Sequence, residues 1–463
     1  CTIFACCKQT YRNMMIHLSR SILLACALLL ATARGAAQTG QWREMHKVEA
    51  KETLYGIARR YGLTVDELAK ANPDMQQPGY KLRKGDYIFI PYAKGQAPAD
   101  KAGGAEGKAA QAAPADALKV GVLLPLHNAD GDGRRMAEYY RGLLMACEDL
   151  KRQGRSVAVS AWNVPIDADI YRTLVKKGVA DCDVIFGPLY SKQAGPLSFF
   201  AKDNGIRLVI PFSITGGDVD TNPNVFQVYQ SPGDFYGRAA DHFAYRFRDY
   251  NVVVVDCNDK TSDKGVFTFG LRRRLKERGV ACSVTNISQG SGGFARAFSA
   301  VKPNIVVLNT ARSPELGTVL DMLDALTGTH PELKVSLFGY TEWLMYAGHF
   351  LDRFCRYDTY VPTHFYYNAY STRTADFDRR YRAEFKSAMM DYLPRFAMTG
   401  YDHGMFFIGG MLEKSKAFDG SAERKDALQT PLRFVKTRGG GYRNESLMFV
   451  HYNRDKSISI IKF

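Results

Sequence analysis

The sequence has few cysteines, and they form no recognisable cluster. Nine occur in 463 residues, and four of those lie within the first 37. The other five are widely spaced and include no Cys-x-x-Cys pair, which argues against a zinc site and against a disulfide framework. We therefore expect these five to be small core residues. They are Cys147, Cys182, Cys257, Cys282 and Cys355.

Catalytic motifs are also missing. Neither Gly-x-Ser-x-Gly nor His-Glu-x-x-His occurs, and the nine histidines are dispersed, so the sequence indicates no hydrolase nucleophile and no metal cluster. Asn128–Gly133 resembles the start of a calcium loop, but Tyr139 stands where that loop needs a glutamate. We expect a protein that is not an enzyme, with no cofactor and no metal.

Basic residues exceed acidic ones, but they form no continuous runs. The formal net charge is +15, and it falls to +11 without the first 37 residues, which carry four basic residues and no acid. A scattered basic surface argues against nucleic acid as a partner. It still suits an anionic polymer of the cell wall.

The N-terminal region carries one short apolar run, Ser21–Ala33. With the basic residues before it and the small residues after it, the run predicts a secretory signal peptide over 14–37, a start downstream of residues 1–13, and a periplasmic protein. It is too short to span a membrane. Cys26 loosely fits a lipoprotein cleavage box, but apolar residues continue after it. Cleavage before Gln38 is therefore favoured over lipid anchoring at Cys26.

Two folded regions flank a stretch rich in Ala, Gly, Pro and Lys. Residues 93–117 contain almost no large apolar side chains, which predicts a flexible linker. Before it, residues 44–92 show two strand patterns around two helices, in the order β-α-α-β. Thr64 and Glu67 form a capping-box pattern at the start of the second helix, and Asn72-Pro73 ends that helix.

This region resembles the LysM domain over its whole length. The matching features are Thr53-Leu54 with Ile57-Ala58, Leu63-Thr64-Val65, Ala71-Asn72-Pro73, Gly85-Asp86 and Ile90-Pro91. The resemblance implies binding of N-acetylglucosamine-containing glycan, that is, peptidoglycan. By position it implicates Lys51, Glu52, Thr53, Leu54, Asn72, Asp74 and Met75. Ala50-Lys51-Glu52 departs from the family's Gly-Asp, which puts the sugar affinity in doubt. Thr53 and Asn72 also fit purely structural roles as helix cap and helix stop.

After the linker, continuous apolar runs alternate with helical patterns. Such runs are typical of parallel strands buried on both faces, so residues 118–463 predict a doubly wound α/β fold of two lobes. The runs are Val120–Leu124, Asp183–Phe186, Leu208–Ile210, Val252–Val255, Ile305–Leu308 and Val335–Phe338.

This second region resembles the type 1 periplasmic-binding fold of branched-chain amino-acid-binding proteins. The landmarks are Lys119–Pro125, Asp183–Ser191, Gly205–Pro211 and Gly400–Asp402. The resemblance implies a first lobe of about 118–230 with 364–430, and a second of about 231–363 with 431–463. The chain would then pass between the lobes three times.

Ligands of open α/β sheets bind beyond the carboxyl ends of the strands. The ends of the predicted strands carry Leu126-His127, Tyr190-Ser191, Ser213-Ile214-Thr215, Asn309-Thr310 and Tyr340-Thr341-Glu342. The resemblance assigns the α-carboxylate of an amino acid to Ser191, Ser213 and Thr215. Glu342 lies about one residue from the position of the family's amine-binding acid. The same residues also fit as helix caps and as a solvated loop acid, so both interpretations stay open.

These patterns predict a peptidoglycan-associated envelope protein that binds an amino-acid or peptide-like solute between two lobes. A membrane permease of the ABC-transporter type would be its partner. The alternative is a regulator of cell-wall synthesis, since the fold also resembles lipoprotein activators of penicillin-binding proteins. A wall hydrolase is disfavoured by the missing motifs. Fold alone does not decide among these functions.

Overall fold

The computed structural model describes residues 42–49, 52–72, 75, 82, 84, 87–91, 116–174, 176–213, 217–422 and 426–463. The expected signal peptide, Lys51, Asp74, Thr215 and nearly all of the linker lie outside these residues. Within the described part, no helix has the length and apolar character needed to cross a membrane. The chain divides into two compact units, 1–112 and 113–463.

The smaller unit has the predicted β-α-α-β order. Its elements are β1 (Trp42–Lys47), α1 (Leu54–Arg60), α2 (Val65–Ala71) and β2 (Tyr87–Pro91). The two strands pair antiparallel. Thr64 and Glu67 form the predicted capping box at α2, each side chain accepting the other residue's backbone N–H. Ile57, Ala58, Leu63 and Leu68 are buried together and form the core of this unit.

The larger unit contains two sheets, each of seven strands among the described residues. All six predicted apolar runs form strands. The first sheet has the order β13-β14-β7-β6-β5-β3-β4, and the second has the order β16-β15-β12-β11-β10-β8-β9. Pairing is parallel except where β13 meets β14 and where β15 meets β12 and β16. The strands of the first sheet are β3 (Leu118–Leu124), β4 (Val157–Asn163), β5 (Val184–Phe186), β6 (Arg207–Ile210), β7 (Val225–Gln227), β13 (Phe434–Lys436) and β14 (Tyr442–Asn444). Those of the second are β8 (Asn251–Asp256), β9 (Cys282–Asn286), β10 (Asn304–Leu308), β11 (Val335–Phe338), β12 (Thr359–Thr363), β15 (Met448–Tyr452) and β16 (Ile458–Lys462).

Helices connect most of the parallel strands, because parallel neighbours need a long crossover connection. They are α3 (Gly131–Arg152), α4 (Ile170–Leu174), α5 (Ser191–Asp203), α6 (Asp218–Thr221), α7 (Pro232–Arg246), α8 (Gly265–Glu277), α9 (Gly290–Ala295), α10 (Ser313–Thr329), α11 (Ala347–Arg356), α12 (Thr372–Phe385) and α13 (Phe396–Lys414). Short 3₁₀ turns cover Thr341–Met345 and Ser415–Ala417. Asp130 caps α3 by accepting the backbone N–H of Gly133 at 2.7 Å.

Two glycines allow α3 and α13 to pack in backbone contact. A Cβ on Gly142 would lie 1.8 Å from the carbonyl oxygen of Ala397, and one on Gly400 would lie 1.9 Å from that of Tyr139. The buried Tyr139 hydroxyl bonds His403 Nδ1 at 2.9 Å across this crossing. The close approach fixes α3, whose first turn lies at the candidate site of the first lobe.

The chain passes between the two sheets three times, after β7, after β12 and after β14. The expected division assigned all of 431–463 to the second lobe, and this differs from the structure. Phe434–Lys436 and Tyr442–Asn444 lie in the first sheet, where Tyr442 pairs with Phe226. Packing explains the difference, because Phe434 and Tyr442 both contact the ring of Phe226 in the core of the first lobe.

Candidate functional site

Glu52, in the turn between β1 and α1, makes its contacts within the smaller unit. Its carboxylate accepts the backbone N–H of Glu49 at 2.7 Å and pairs with His46 Nε2 at 2.8 Å and Arg60 at 2.9 Å. The Glu49 N–H and the His46 bond lower the pKa of Glu52. The side chain therefore holds the turn in shape. His46 and Arg60 carry no motif signal, so sequence reasoning missed them.

The other described residues of the expected glycan groove also make structural contacts. Thr53 caps α1 by accepting the N–H of Gly56 at 3.1 Å. Asn72 is buried and donates to the carbonyl of Leu68 at 2.8 Å, which ends α2. Leu54 and Met75 are partly buried against the core. Both structural roles weighed for Thr53 and Asn72 are thus present, and sugar contact by any of these residues stays a prediction.

The structure brings two of the expected cleft hydroxyls together in the first lobe. Ser191 is the first residue of α5, and Ser213 follows β6 and is buried. Their Oγ atoms lie 3.0 Å apart. Tyr190, just before α5, makes no capping hydrogen bond with its side chain. The first turn of the helix begins at Ser191, which is one member of the hydroxyl pair. Hydroxyls and helix N-terminal amides together suit a carboxylate.

Tyr190 joins the start of α5 to the start of α3. Its hydroxyl donates to Asp132 at 3.3 Å, and Asp132 also pairs with Arg135. Burial, together with the adjacent Asp132 carboxylate, raises the pKa of Tyr190 to about 12. The phenol therefore stays protonated and acts as a donor.

Glu342, at the carboxyl edge of the second sheet, is paired with a lysine of its own lobe. Lys264 Nζ lies 2.8 Å from the Glu342 carboxylate and donates to the Tyr236 hydroxyl at 2.9 Å. The ammonium also lies over the rings of Tyr236 and Tyr340, at 5.0 and 5.4 Å from their centroids. Burial opposes the charge, but the bonds to Glu342 and Tyr236 raise the pKa of Lys264. An ammonium ligand would have to compete with this lysine for Glu342.

A second polar cluster lies at the same edge of this sheet. The sequence placed Asn309 and Thr310 at this edge, but it gave no sign of their partners Asp256 and Asp259. Asn309 donates to Asp256 at 2.8 Å and accepts the backbone N–H of Cys257 at 2.8 Å. Thr310 donates to Asp259 at 2.8 Å, and hydrogen bonds from Thr261 and Thr310 lower the pKa of Asp259 to about 2. These contacts fix the loops after β8 and β10.

The acidic, histidine and cysteine side chains of the described residues form no metal-binding cluster, because no group of three or more is placed to hold a metal ion. All five described cysteines are free thiols, and burial raises the pKa of Cys147 and Cys257 to about 12 and that of Cys182 to about 11. A Ser-x-x-Lys spacing occurs at Ser299 and Lys302, but the serine hydroxyl accepts backbone N–H groups of its own turn.

Comparison with known proteins identifies both units. The profile of the LysM domain matches residues 46–91, and that of the periplasmic binding protein family matches 117–441. A search of curated proteins finds no match. Among solved structures, a putative branched-chain amino acid ABC transporter from Rhodospirillum rubrum aligns with a TM-score of 0.53 and 16% identity, over 74% of this chain and 100% of that one.

Haemophilus influenzae LpoA aligns with a TM-score of 0.50 and 13% identity, over 75% of this chain and 59% of that one. At such identities the two structures show the fold alone. The profile match, which covers most of the chain, shows more: this protein belongs to the periplasmic binding protein family and carries a LysM domain ahead of its binding domain.

Proposed function

We propose that the protein is exported, is held on peptidoglycan by its LysM domain, and binds a small solute between the two lobes without transforming it. The Ser191–Ser213 hydroxyl pair carries this proposal, because it lies beside the first turn of α5 at the carboxyl edge of a parallel sheet. Three interlobe segments allow the lobes to close on a solute by hinge bending.

The Rhodospirillum rubrum protein is described as a putative branched-chain amino acid ABC transporter. By that analogy the solute is amino-acid-like or peptide-like, and a membrane permease receives it. The hydroxyl pair would hold a carboxylate of the solute, with Tyr190 as a further donor. Thr215 is proposed as a third hydroxyl.

A regulator of penicillin-binding proteins is the second candidate, and one observation favours it. Glu342 is already compensated by Lys264, so the ammonium of an amino acid at this position would have to compete with that lysine. In this case a surface of the binding domain contacts a protein partner, and the cleft takes no solute.

Thermal denaturation of the full chain distinguishes the two candidates. The protein is first unfolded, dialysed and refolded to remove co-purified ligand, then screened with amino acids, short peptides and muropeptide fragments. A ligand at a hundred times its Kd adds about 2.7 kcal/mol to the free energy of unfolding. Stabilisation by one chemical class, lost in Ser213→Ala, supports solute binding. A folded protein that no compound stabilises supports the regulator.

Peptidoglycan association is tested separately by pelleting with insoluble peptidoglycan. We expect the full chain in the pellet and a chain lacking residues 44–92 in the supernatant. Soluble N-acetylglucosamine oligomers should release the full chain. Recovery of the full chain in the supernatant would show that the LysM domain does not bind this polymer.

A further inference from the structure

A groove of about 440 Å³ runs between α7 and α8 of the second lobe. All of its lining residues belong to these two helices or to the two residues just before α8. The lining extends from Pro232 to Ala240 on α7 and from Val266 to Arg274 on α8, which corresponds to about 12 Å along each helix. Ser191 and Ser213 do not line it, so the groove is distinct from the hydroxyl pair of the first lobe.

Two glycines keep the groove open. A Cβ on Gly237 of α7 or on Gly270 of α8 would lie 3.5 Å from the guanidinium of Arg274, which is ordinary contact, so a side chain at either position would extend into the groove without a clash. The buried side chains of Ala240 and Phe267 also line it. The space between the helices is therefore apolar at its base.

Large apolar side chains stand at the rim of the groove. Val266 and Phe269 line it and are 80% and 70% exposed. Single exposed apolar residues need no explanation, but two on one helix beside an apolar groove indicate a binding surface. A flat lipid surface could contact Val266 and Phe269 but would not reach the buried Ala240. The recessed base therefore favours a protein partner whose side chains insert between the helices.

The end of α8 gives this surface a positive charge. Five of the seven residues in 272–278 are basic, and Glu277 is the only acid among them. Asp241 pairs with Arg274 at 3.0 Å, but Arg272 and Lys276 form no ion pair with any described residue. They follow Phe269 at i+3 and i+7, so they extend along the same side of α8. This charge is complementary to an acidic partner and not to a basic one.

We propose that the groove between α7 and α8 docks an acidic amphipathic helix of a partner protein. Apolar residues of that helix, spaced i, i+3, i+4 and i+7, would insert between α7 and α8 and cover Phe269. Its acidic residues would face Arg272, Arg273 and Lys276. The groove accommodates about two turns of such a helix. The proposal goes beyond solute binding, because the surface is available whether or not the cleft holds a solute.

Three labelled peptides of ~18 residues, long enough to form a helix, test the proposal by fluorescence anisotropy with the full chain. They share the same leucine positions and carry glutamate, glutamine or lysine on the remaining face. We expect the glutamate peptide to bind roughly tenfold more tightly than the glutamine peptide, and the lysine peptide to bind least. Added salt should reduce the difference between them. Equal binding of all three, preference for the lysine peptide, or no binding of any peptide overturns the proposal.

Groove variants locate the binding. Gly237→Leu should fill the groove and weaken the glutamate peptide at least tenfold. Gly328→Leu is the matched control, because Gly328 is a helical glycine of the same lobe with open space around it and does not line the groove. Phe269→Ser, at an exposed position, should also weaken binding without unfolding the protein. The proposal fails if the peptide binds Gly237→Leu and Phe269→Ser as tightly as the parent.

Charge variants separate the basic rim from the apolar base. Arg272→Glu/Lys276→Glu breaks no ion pair, so it should keep the fold and abolish the preference for glutamate over glutamine. An unchanged preference would place the acidic residues elsewhere and overturn the proposal.

Three further outcomes would assign the groove or the peptide differently, and each overturns the proposal. Flotation of the parent, but not of Phe269→Ser, with phosphatidylglycerol vesicles would show a lipid-binding surface. Self-association in sedimentation velocity that Gly237→Leu abolishes would show that a second copy covers the groove. Loss of peptide binding in Ser213→Ala would show that the cleft takes the peptide as a solute, in which case the proposed function still stands.

Discussion

The facing edges of the two lobes differ in how their polar groups are used. In the first lobe, Ser191 and Ser213 form a neutral hydroxyl pair beside a helix start. In the second, Lys264 and Glu342 form an ion pair that is further fixed by the Tyr236 hydroxyl. The first edge can donate to a ligand without breaking a charge pair, whereas a cation at the second edge would meet a carboxylate whose charge Lys264 already compensates.

The two edges therefore differ in the polar groups that they could offer to a solute. Under the proposed function, the first lobe would provide donors for a polar group of the solute, whereas the charge at the edge of the second lobe is already compensated. The carboxylate of an amino acid matches the first edge, whereas its ammonium would compete with Lys264 for Glu342 at the second. A solute with a carboxylate at one end and an uncharged group at the other matches both.

Of the changes considered, removal of Lys264 should have the largest effect on the free energy of unfolding, and it would abolish the ion pair that distinguishes the second edge. Lys264 is 8% exposed, and the side chain of Glu342 is 37% exposed. Breaking a fully buried pair costs ~3–5 kcal/mol, and the partial exposure of Glu342 reduces this, so Lys264→Met should lose about 2–3 kcal/mol. Urea unfolding measures the loss, and Lys264→Met/Glu342→Gln should recover most of it. An unchanged midpoint for Lys264→Met would show that the pair is energetically neutral.

The two lobes should also respond differently to pH. Asp402 in the first lobe is buried, and its pKa is raised to about 7 by burial, against hydrogen bonds from the backbone N–H groups of Gln429, Leu428 and Thr430. A raised folded pKa gives stability that is complete below the unfolded value near 4 and is lost as the pH rises to 7. Asp259 in the second lobe has a lowered pKa, so its contribution is lost only below pH 4.

Between pH 5 and 7 the first lobe should therefore lose roughly 1 kcal/mol per pH unit, and the second lobe should not change from this cause. Hydrogen exchange read by mass spectrometry, corrected for the intrinsic pH dependence of exchange, resolves the lobes by their peptides. Peptides from α13 and β3 report on the first lobe, and those from β8 and β10 report on the second. Equal protection changes in both sets would contradict the difference.

Much of the first edge was predictable and much of the second was not, for a physical reason. Apolar runs predict parallel strands, and the carboxyl ends of such strands meet, so Ser191 and Ser213 were expected to lie together. Lys264 was not expected to meet Glu342, because no local pattern links residues 78 positions apart. Their contact depends on how the loop after β8 packs against the 3₁₀ turn after β11.

The boundary between the lobes also could not be predicted fully from local sequence patterns. Short strands with mixed exposure, such as Phe434–Lys436, carry no apolar run, and their place in the first sheet depends on packing against Phe226. In the LysM domain, the repeated helix pattern and the capping box were sufficient for the fold. The pairing of Glu52 with His46 was not predictable, because it depends on the turn that Glu52 itself stabilises.

The hydroxyl pair should contribute less to stability than the ion pair. Ser213→Ala leaves the Ser191 hydroxyl without this neighbour, which should cost about 1 kcal/mol in the ligand-free protein. The same change should weaken a carboxylate ligand far more than an uncharged one, which sharpens the contrast between the edges. Ser160→Ala, at an exposed position of β4, is the matched control and should change neither quantity. Equal weakening of both ligands would place the carboxylate elsewhere.

The smallest effect on binding is expected for Glu52 in the LysM domain, which is paired with a basic residue as Glu342 is. Glu52 is compensated by Arg60, which is itself well exposed, so solvent screens much of their attraction. Glu52→Gln should therefore reduce the pelleted fraction with peptidoglycan by about twofold, because the turn before Thr53 loosens without a direct loss of sugar contact. Arg60→Gln removes the same ion pair while keeping the Glu49 and His46 bonds. If Glu52→Gln abolishes pelleting while Arg60→Gln leaves it intact, the carboxylate contacts the glycan directly, and it is then a binding group in addition to holding the turn.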